Sequence, residues 1–241
     1  MNPKMFNSFL DGTKSGIEMA AVANATGLAV PRDGLAFPPC GVDELAEVLR
    51  PRTAGGLLPG KGLVEVISSE KRGGGPVERD LRWGVYTVFE ASSDYTARCF
   101  REYGLKTDSS GRYAAMYKPY HLIGLELGIS VLSVALRGEP TGTTRSFTGD
   151  VAAVAKRPLK AGEVLDGEGG YCVWGRLMAA EDSVARGAVP IGLAQHIALT
   201  RDVAEGEVVT WSDVAADEDN AAYQIRQQMV SRFAPPAAAV K

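Results

Sequence analysis

Cysteine is scarce in this chain. Cys40, Cys99 and Cys172 are an odd number among 241 residues, widely spaced and without a C-x-x-C pair. That pattern gives no disulfide framework and reads as reduced cytosolic thiols. Positive charge is not in surplus either: 26 Lys and Arg against 29 Asp and Glu leave a net charge of -3. Nothing remains to neutralise a phosphate backbone, which argues against a nucleic-acid partner. No apolar run reaches the length of a membrane span, and the longest, around Leu122 to Leu136, carries Glu126 and several small residues. The opening MNPKMFNSFL lacks the charged start, apolar centre and small-residue cleavage site of a signal peptide. A cytoplasmic protein with no membrane partner is the expectation. No H-x-E pair or Asp cluster with ligand spacing occurs, so no preformed protein-only metal site is expected, although a divalent metal held jointly with substrate stays open. No G-x-G-x-x-G follows a strand, since GGG at 73–75 and GEGG at 167–170 lie in turn-like contexts.

What is present is a soluble composition, 45% hydrophobic and 23% charged. The segment DGTKSGIEMAAVANATGL (11–28) reads as a helix. Ser15 and Glu18 have capping-box spacing, Ile17 to Leu28 give an apolar stripe, and Gly27 is a natural stop. A Pro- and Gly-rich stretch from Gly27 to Gly62 is interrupted by a short helix near Val42–Leu49. GLVEVISSE (62–70) and DLRWGVYTVFEA (80–91) read as strands, the second with period-2 alternation. Asp94 to Tyr103 and Pro119 to Leu136 read as helices, the latter closed by Gly138. Strands and helices mix without a regular βαβ rhythm, which predicts an α+β fold. KRPLKAGEVL (156–165) and TRDVAEGEVV (200–209) form an internal repeat at an offset of 44 residues, with Arg157, Gly162, Glu163 and Val164 matching Arg201, Gly206, Glu207 and Val208. The expected organisation is a mixed domain over 1–150, a small pseudo-symmetric β domain over 151–216, and a short helix with a disordered PPAAAVK end over 217–241.

Lys14 sits at the start of the first predicted helix, beside the positive end of its dipole, where a cation is the disfavoured sign. With Gly12 before it and free N–H groups after it, the lysine reads as part of an anion site and as a candidate acid or base. The alternative is a solvated loop lysine. Tyr117, Lys118, Tyr120 and His121 flank another predicted helix start and supply hydroxyls, a counter-charge and a near-neutral acid/base. The alternative there is that both tyrosines pack in a core. Asp11, Glu18, Glu90 and Asp94 are the carboxylates able to take a sugar hydroxyl or a shared metal. His196, Trp83, Trp174 and Trp211 read as structural, the tryptophans as core residues. Arg157 and Arg201 fit a turn-stabilising role as well as a binding one.

The repeated strand, arginine and G-E-V turn resembles the SAF domain, a small β-clip fold. Together with NPKMFNSFLDGTKSGIEMAAVANATGL and MYKPYHLIGLE, the chain resembles homoserine-dehydrogenase-like oxidoreductases, nearest the 1-deoxyxylulose-5-phosphate-reductoisomerase-like group. Such enzymes carry a Rossmann domain, a catalytic and dimerisation domain and a SAF domain, and this chain resembles the part after the Rossmann domain. The resemblance implies the substrate-binding and dimerisation portion of an NAD(P)-dependent oxidoreductase acting on a small polar or phosphorylated carbonyl or sugar-derived compound. Lys14, Lys118 and His121 would be its catalytic residues, with Tyr117, Tyr120, Asp11 and Glu90 binding substrate. NADPH or NADH would be held mainly by a dinucleotide domain in cis or in trans, and the partners are a small-molecule substrate and a second copy of the chain. A non-enzymatic SAF-containing module that binds carbohydrate or protein is the alternative.

Overall fold

The computed structural model describes residues 2–233, so the PPAAAVK end predicted as disordered lies outside the described residues. In chain order the elements are α1 (Pro3–Leu10), α2 (Thr13–Thr26), α3 (Leu45–Val48), β1 (Val85–Glu90), α4 (Asp94–Glu102), β2 (Lys106–Thr107), β3 (Tyr113–Lys118), α5 (Ile123–Arg137), β4 (Gly149–Ala155), β5 (Val164–Asp166), β6 (Val173–Ala179), α6 (Ala180–Ala185), β7 (Gln195–Ala198) and α7 (Ala221–Phe233). All paired strands are antiparallel, and the α+β class holds.

The compact units do not divide at residue 150. One comprises residues 2–35 with 144–233, the other 36–143. The reason is a stripe of small residues on α2. Thr13, Gly16, Ala20 and Ala23 are buried and let the helix lie close against β4 and β6, where Thr13 Oγ1 accepts the Gly175 N–H at 2.8 Å. A Cβ on Gly175 would come within 2.7 Å of Val151 and 2.9 Å of Thr13, so only glycine fits there. The N-terminal helices therefore fold with the C-terminal β elements.

Within this unit the repeat becomes a near-symmetric pair of turns. Leu159 and Val203 exchange both backbone hydrogen bonds, at 2.8 and 3.0 Å. Gly162 N–H donates to Leu199 O and Gly206 N–H to Ala155 O, each glycine in the left-handed region that its turn requires. Glu163 accepts the Lys160 N–H at 2.7 Å and Glu207 accepts the Ala204 N–H at 2.9 Å. The two arginines also match, each donating to the carbonyl of the following residue, Pro158 or Asp202. Arg157 is further bound to Glu163 and Arg201 to Asp213, which accounts for both as turn stabilisers. Helix α7 is fastened by Arg226, whose guanidinium bonds the buried Asp150 of β4 in a pair also joined by Ser183 Oγ.

The other unit has a three-stranded sheet in the order β1-β3-β2, with Val85 opposite Lys118 and Glu90 opposite Tyr113. Cys40, Leu45, Leu49, Tyr113 and Ala115 form its core. Burial, then the nearby Glu44 charge, pushes the Cys40 thiol up to about 12, so it packs as an inert apolar group. Residues 62–70 are not a strand and make only isolated bridges, among them Ser68 with Pro39 and Glu70 with Pro76. The Glu65 carboxylate fixes that stretch instead, accepting N–H bonds from Ala36, Phe37 and Val66. Helix α5 starts at Ile123 and not at Pro119. Pairing of β3 runs on to Lys118, and a residue before proline is kept extended, so the chain turns before it can coil. Trp83 is 74% exposed and is no core residue, whereas Trp211 packs edge-on against Tyr223 at 5.0 Å.

Candidate substrate site

Helix α2 begins earlier than its capping-box spacing predicts. Gly12, at φ 85°, is the N-cap, no side chain caps the helix, and Glu18 is exposed. Asp11 explains the shift: its Oδ1 accepts the Thr13 N–H at 2.9 Å and turns the chain into the helix two residues before Ser15. Lys14 thus lies inside the first helical turn. Its side chain is half-buried, and among the described residues it makes no hydrogen bond or ion pair. The predicted Asp11 faces two structural partners, since its Oδ2 lies 2.7 Å from Lys156 Nζ.

Lys14 and Asp11 belong to the unit containing α2. Tyr117, Lys118, Tyr120, His121 and Glu90 belong to the unit built on β1 to β3. In that second unit β3 delivers Tyr117 and Lys118, and the short turn before α5 delivers Tyr120 and His121. The tyrosines are 41% and 50% exposed, so they do not pack in a core.

The residue that organises this cluster is one that sequence reasoning passed over. Glu126, in the first turn of α5, bonds Lys118 Nζ through Oε1 and lies 2.6 Å from His121 Nδ1 through Oε2. The Lys118 hydrogen bond, and after it that of His121, holds the Glu126 carboxyl below its ordinary range against the pull of desolvation. Tyr120 lends its ring face to the same ammonium at 4.9 Å. With Nδ1 directed at a carboxylate, His121 keeps its Nε2 for an outside partner. The available signal was that Glu126 is the only carboxylate in an otherwise apolar run.

Glu90 is engaged elsewhere. Lys61 pairs with its Oε2, and Tyr113 donates to its Oε1 at 3.1 Å. Lys61 first, with Tyr113 helping, keeps this carboxyl low. Both oxygens thus have partners at the sheet edge, which favours a structural role over substrate binding.

Neither glycine run suits a dinucleotide. In the 167–170 turn the carbonyls of Gly169 and Gly170 accept from Asn7 and Lys156, so that turn presents oxygens where a pyrophosphate needs N–H donors. The 73–75 run closes a loop between Lys71 and Gly75 and precedes no helix. Among the described residues no group of three or more His, Cys, Asp or Glu side chains could hold a metal ion. No helix among them is long and apolar enough to cross a membrane.

Comparison with protein families gives the class of this chain: it is an oxidoreductase. The family model described as "Oxidoreductase DRL, catalytic domain" matches residues 1–127, more than half of the molecule, and the chain belongs to that family. The match contains Lys14 and the whole Lys118–His121–Glu126 cluster. No protein with a curated description matches the chain.

Proposed function

We propose that the chain is the substrate-binding and dimerisation portion of an NAD(P)-dependent oxidoreductase of the homoserine-dehydrogenase-like and reductoisomerase-like kind. Its substrate is a small polar or phosphorylated carbonyl or sugar-derived compound. The observation that carries this reading is Lys14: a half-buried lysine on the first turn of a helix, whose ammonium has no hydrogen bond or ion pair among the described residues. An anion or a developing oxyanion is what such a cation lacks, and the helix N–H groups around it have the same preference. Lys14 then neutralises or protonates the oxygen that gains charge. In the unit built on β1 to β3, Lys118, already paired with Glu126, offers its remaining N–H donors to a polar group, and His121 a proton donor or acceptor at Nε2. The described residues offer no dinucleotide cradle, so the cofactor is held by a dinucleotide domain in cis or in trans. Titrated with NADPH in a calorimeter, this chain by itself is expected to give no micromolar binding. Joined to such a domain it should oxidise NADPH in the presence of a phosphorylated sugar-derived ketone or aldehyde. Micromolar binding to the chain alone would sink the assignment.

The proposed partner is a second copy. Helix α5 leaves Leu125, Leu127, Ile129, Leu132, Val134 and Leu136 each more than half exposed. Gly124 and Gly128 on the same helix face open space. Monomers rarely leave such an apolar surface uncovered. Light scattering at micromolar concentration should report a dimer, and Leu132→Glu should yield the monomer; a monomeric native chain refutes the interface.

A second reading, a SAF-type module for carbohydrate or protein, is favoured by one observation: the two copies of the repeat pair directly through Leu159 and Val203.

A further inference from the structure

We infer that the unit containing α2 has a ligand site of its own, a cavity beside α1 that takes a neutral polyhydroxylated molecule of monosaccharide size. The cavity is widely open to solvent and has a volume of about 900 Å³. It lies between α1, the end of β4 and the turn at 166–171. None of its lining residues belongs to the Lys118 cluster.

The walls are built in advance. Three side chains tie the turn in place: Lys4 Nζ donates to Asp166 O at 2.7 Å, Asn7 Nδ2 to Gly169 O at 2.8 Å and Lys156 Nζ to Gly170 O at 2.6 Å. A Cβ on Gly169 would stand 1.9 Å from Lys4 O, so the close approach depends on glycine. A wall held this way has little ordering cost left when a ligand arrives.

Asp11 and Lys156 meet inside. Their charged atoms are 2.7 Å apart, yet the buried Asp11 Oδ2 receives no hydrogen bond, so the pair touches without the alignment of one. Lys156 Nζ donates to Gly170 O and lies against Asp11, whose carboxylate is buried and closed to a ligand. An ammonium has three N–H donors, so Lys156 keeps one for the oxygen of a ligand hydroxyl. Around them the lining is mainly apolar and includes the aromatic side chains of Trp174 and Tyr171, the latter with Arg157 stacked on its ring at 4.6 Å.

Charge decides against an anion. Lys4 and Lys156 are outnumbered by Asp11, Asp166 and Glu205 in the lining. A phosphate or carboxylate would meet more negative than positive groups, whereas a polyol needs mixed donors and acceptors. The site does not rest on the oxidoreductase reading, since binding there is measured without turnover.

The test follows tryptophan fluorescence of the native chain titrated with D-ribose and with D-glucose. Ribose 5-phosphate and glucose 6-phosphate serve as anionic counterparts. A saturable change with a millimolar Kd is expected for at least one neutral sugar, weaker for its phosphate. Tyr171→Ala, at an exposed position, and Lys156→Met should each weaken binding by roughly tenfold or more, the scale of a lost hydrogen bond to a charged group. Lack of saturation by either sugar up to about 50 mM, tighter binding of the phosphates, or unchanged affinity in both variants would each overturn the assignment. Failure here leaves the Lys14 experiment untouched.

Discussion

Lys14→Ala, measured in a protein that includes the dinucleotide domain, is expected to lower turnover by roughly two to four orders of magnitude, the scale of a positioned acid or base. Melting temperature should barely move, because the ammonium has no hydrogen bond or ion pair among the described residues and removing it leaves no orphaned group. A cation alone is not the whole of the role. Lys14→Arg keeps the charge but replaces a compact ammonium with a broad, permanently protonated fork. If Lys14 delivers a proton, the arginine variant should be nearly as slow as the alanine. If it only neutralises an anion, arginine should recover much of the rate, with the residual defect in KM. Near-native turnover of Lys14→Ala would make the residue a solvated bystander and end the proposal that rests on it.

Asp108→Ala is expected to destabilise the unit built on β1 to β3 by about 3–5 kcal/mol, as when one partner of a buried ion pair is removed. The Asp108 side chain has no solvent exposure and pairs with Arg50, itself only 10% exposed. It also accepts from Ser110 Oγ at 2.6 Å and from the N–H groups of Arg112 and Tyr113 at 3.0 and 2.9 Å. Burial alone would raise its pKa, but Ser110, the backbone N–H groups and Arg50 together hold it below the ordinary carboxylate value. A carboxyl with a depressed folded pKa contributes stability that is present above the unfolded value, near 4, and is lost as pH falls through the lower folded value. Urea unfolding of the native chain should therefore weaken in acid, and that part of the acid sensitivity should vanish in Asp108→Ala. A loss below about 1 kcal/mol would show that the pair is solvated. The consequence reaches the candidate site, because Asp108 fixes the start of β3, whose far end carries Tyr117 and Lys118.

Much of the local structure was legible because it depends on neighbours in sequence. Ser93 caps α4 through the Thr96 N–H, and Gly138 ends α5 in the left-handed region. The alternation after Asp80 marked β1, which forms only from Val85 to Glu90 because the chain turns at 82–83, and the 44-residue repeat marked two matching G-E-V turns. The start of α2 was misread because two local signals compete to begin it. Ser15 and Glu18 have the spacing, but Asp11 with a left-handed Gly12 acts first.

What the sequence by itself determined is therefore the set of elements, the α+β class, the repeat and the clustering of Tyr117, Lys118, Tyr120 and His121 within a few residues. Tertiary structure alone decided which elements share a core. The small-residue stripe of α2 carries no mark of its docking partner; the glycine gaps at Gly149 and Gly175, with Asn24 bonded to the Gly149 backbone, fix it on the β4–β6 sheet. It also decided which carboxylates stay available. Asp11, Glu90 and Glu126 look alike in sequence, but Lys156, Lys61 and the Lys118–His121 pair reach them across gaps of 145, 29 and 8 or 5 residues. Coulomb attraction and hydrogen bonding act over a few ångströms of space whatever the separation along the chain. Only Glu126 lies close enough in sequence to its partners for one turn and the start of a helix to bring them together.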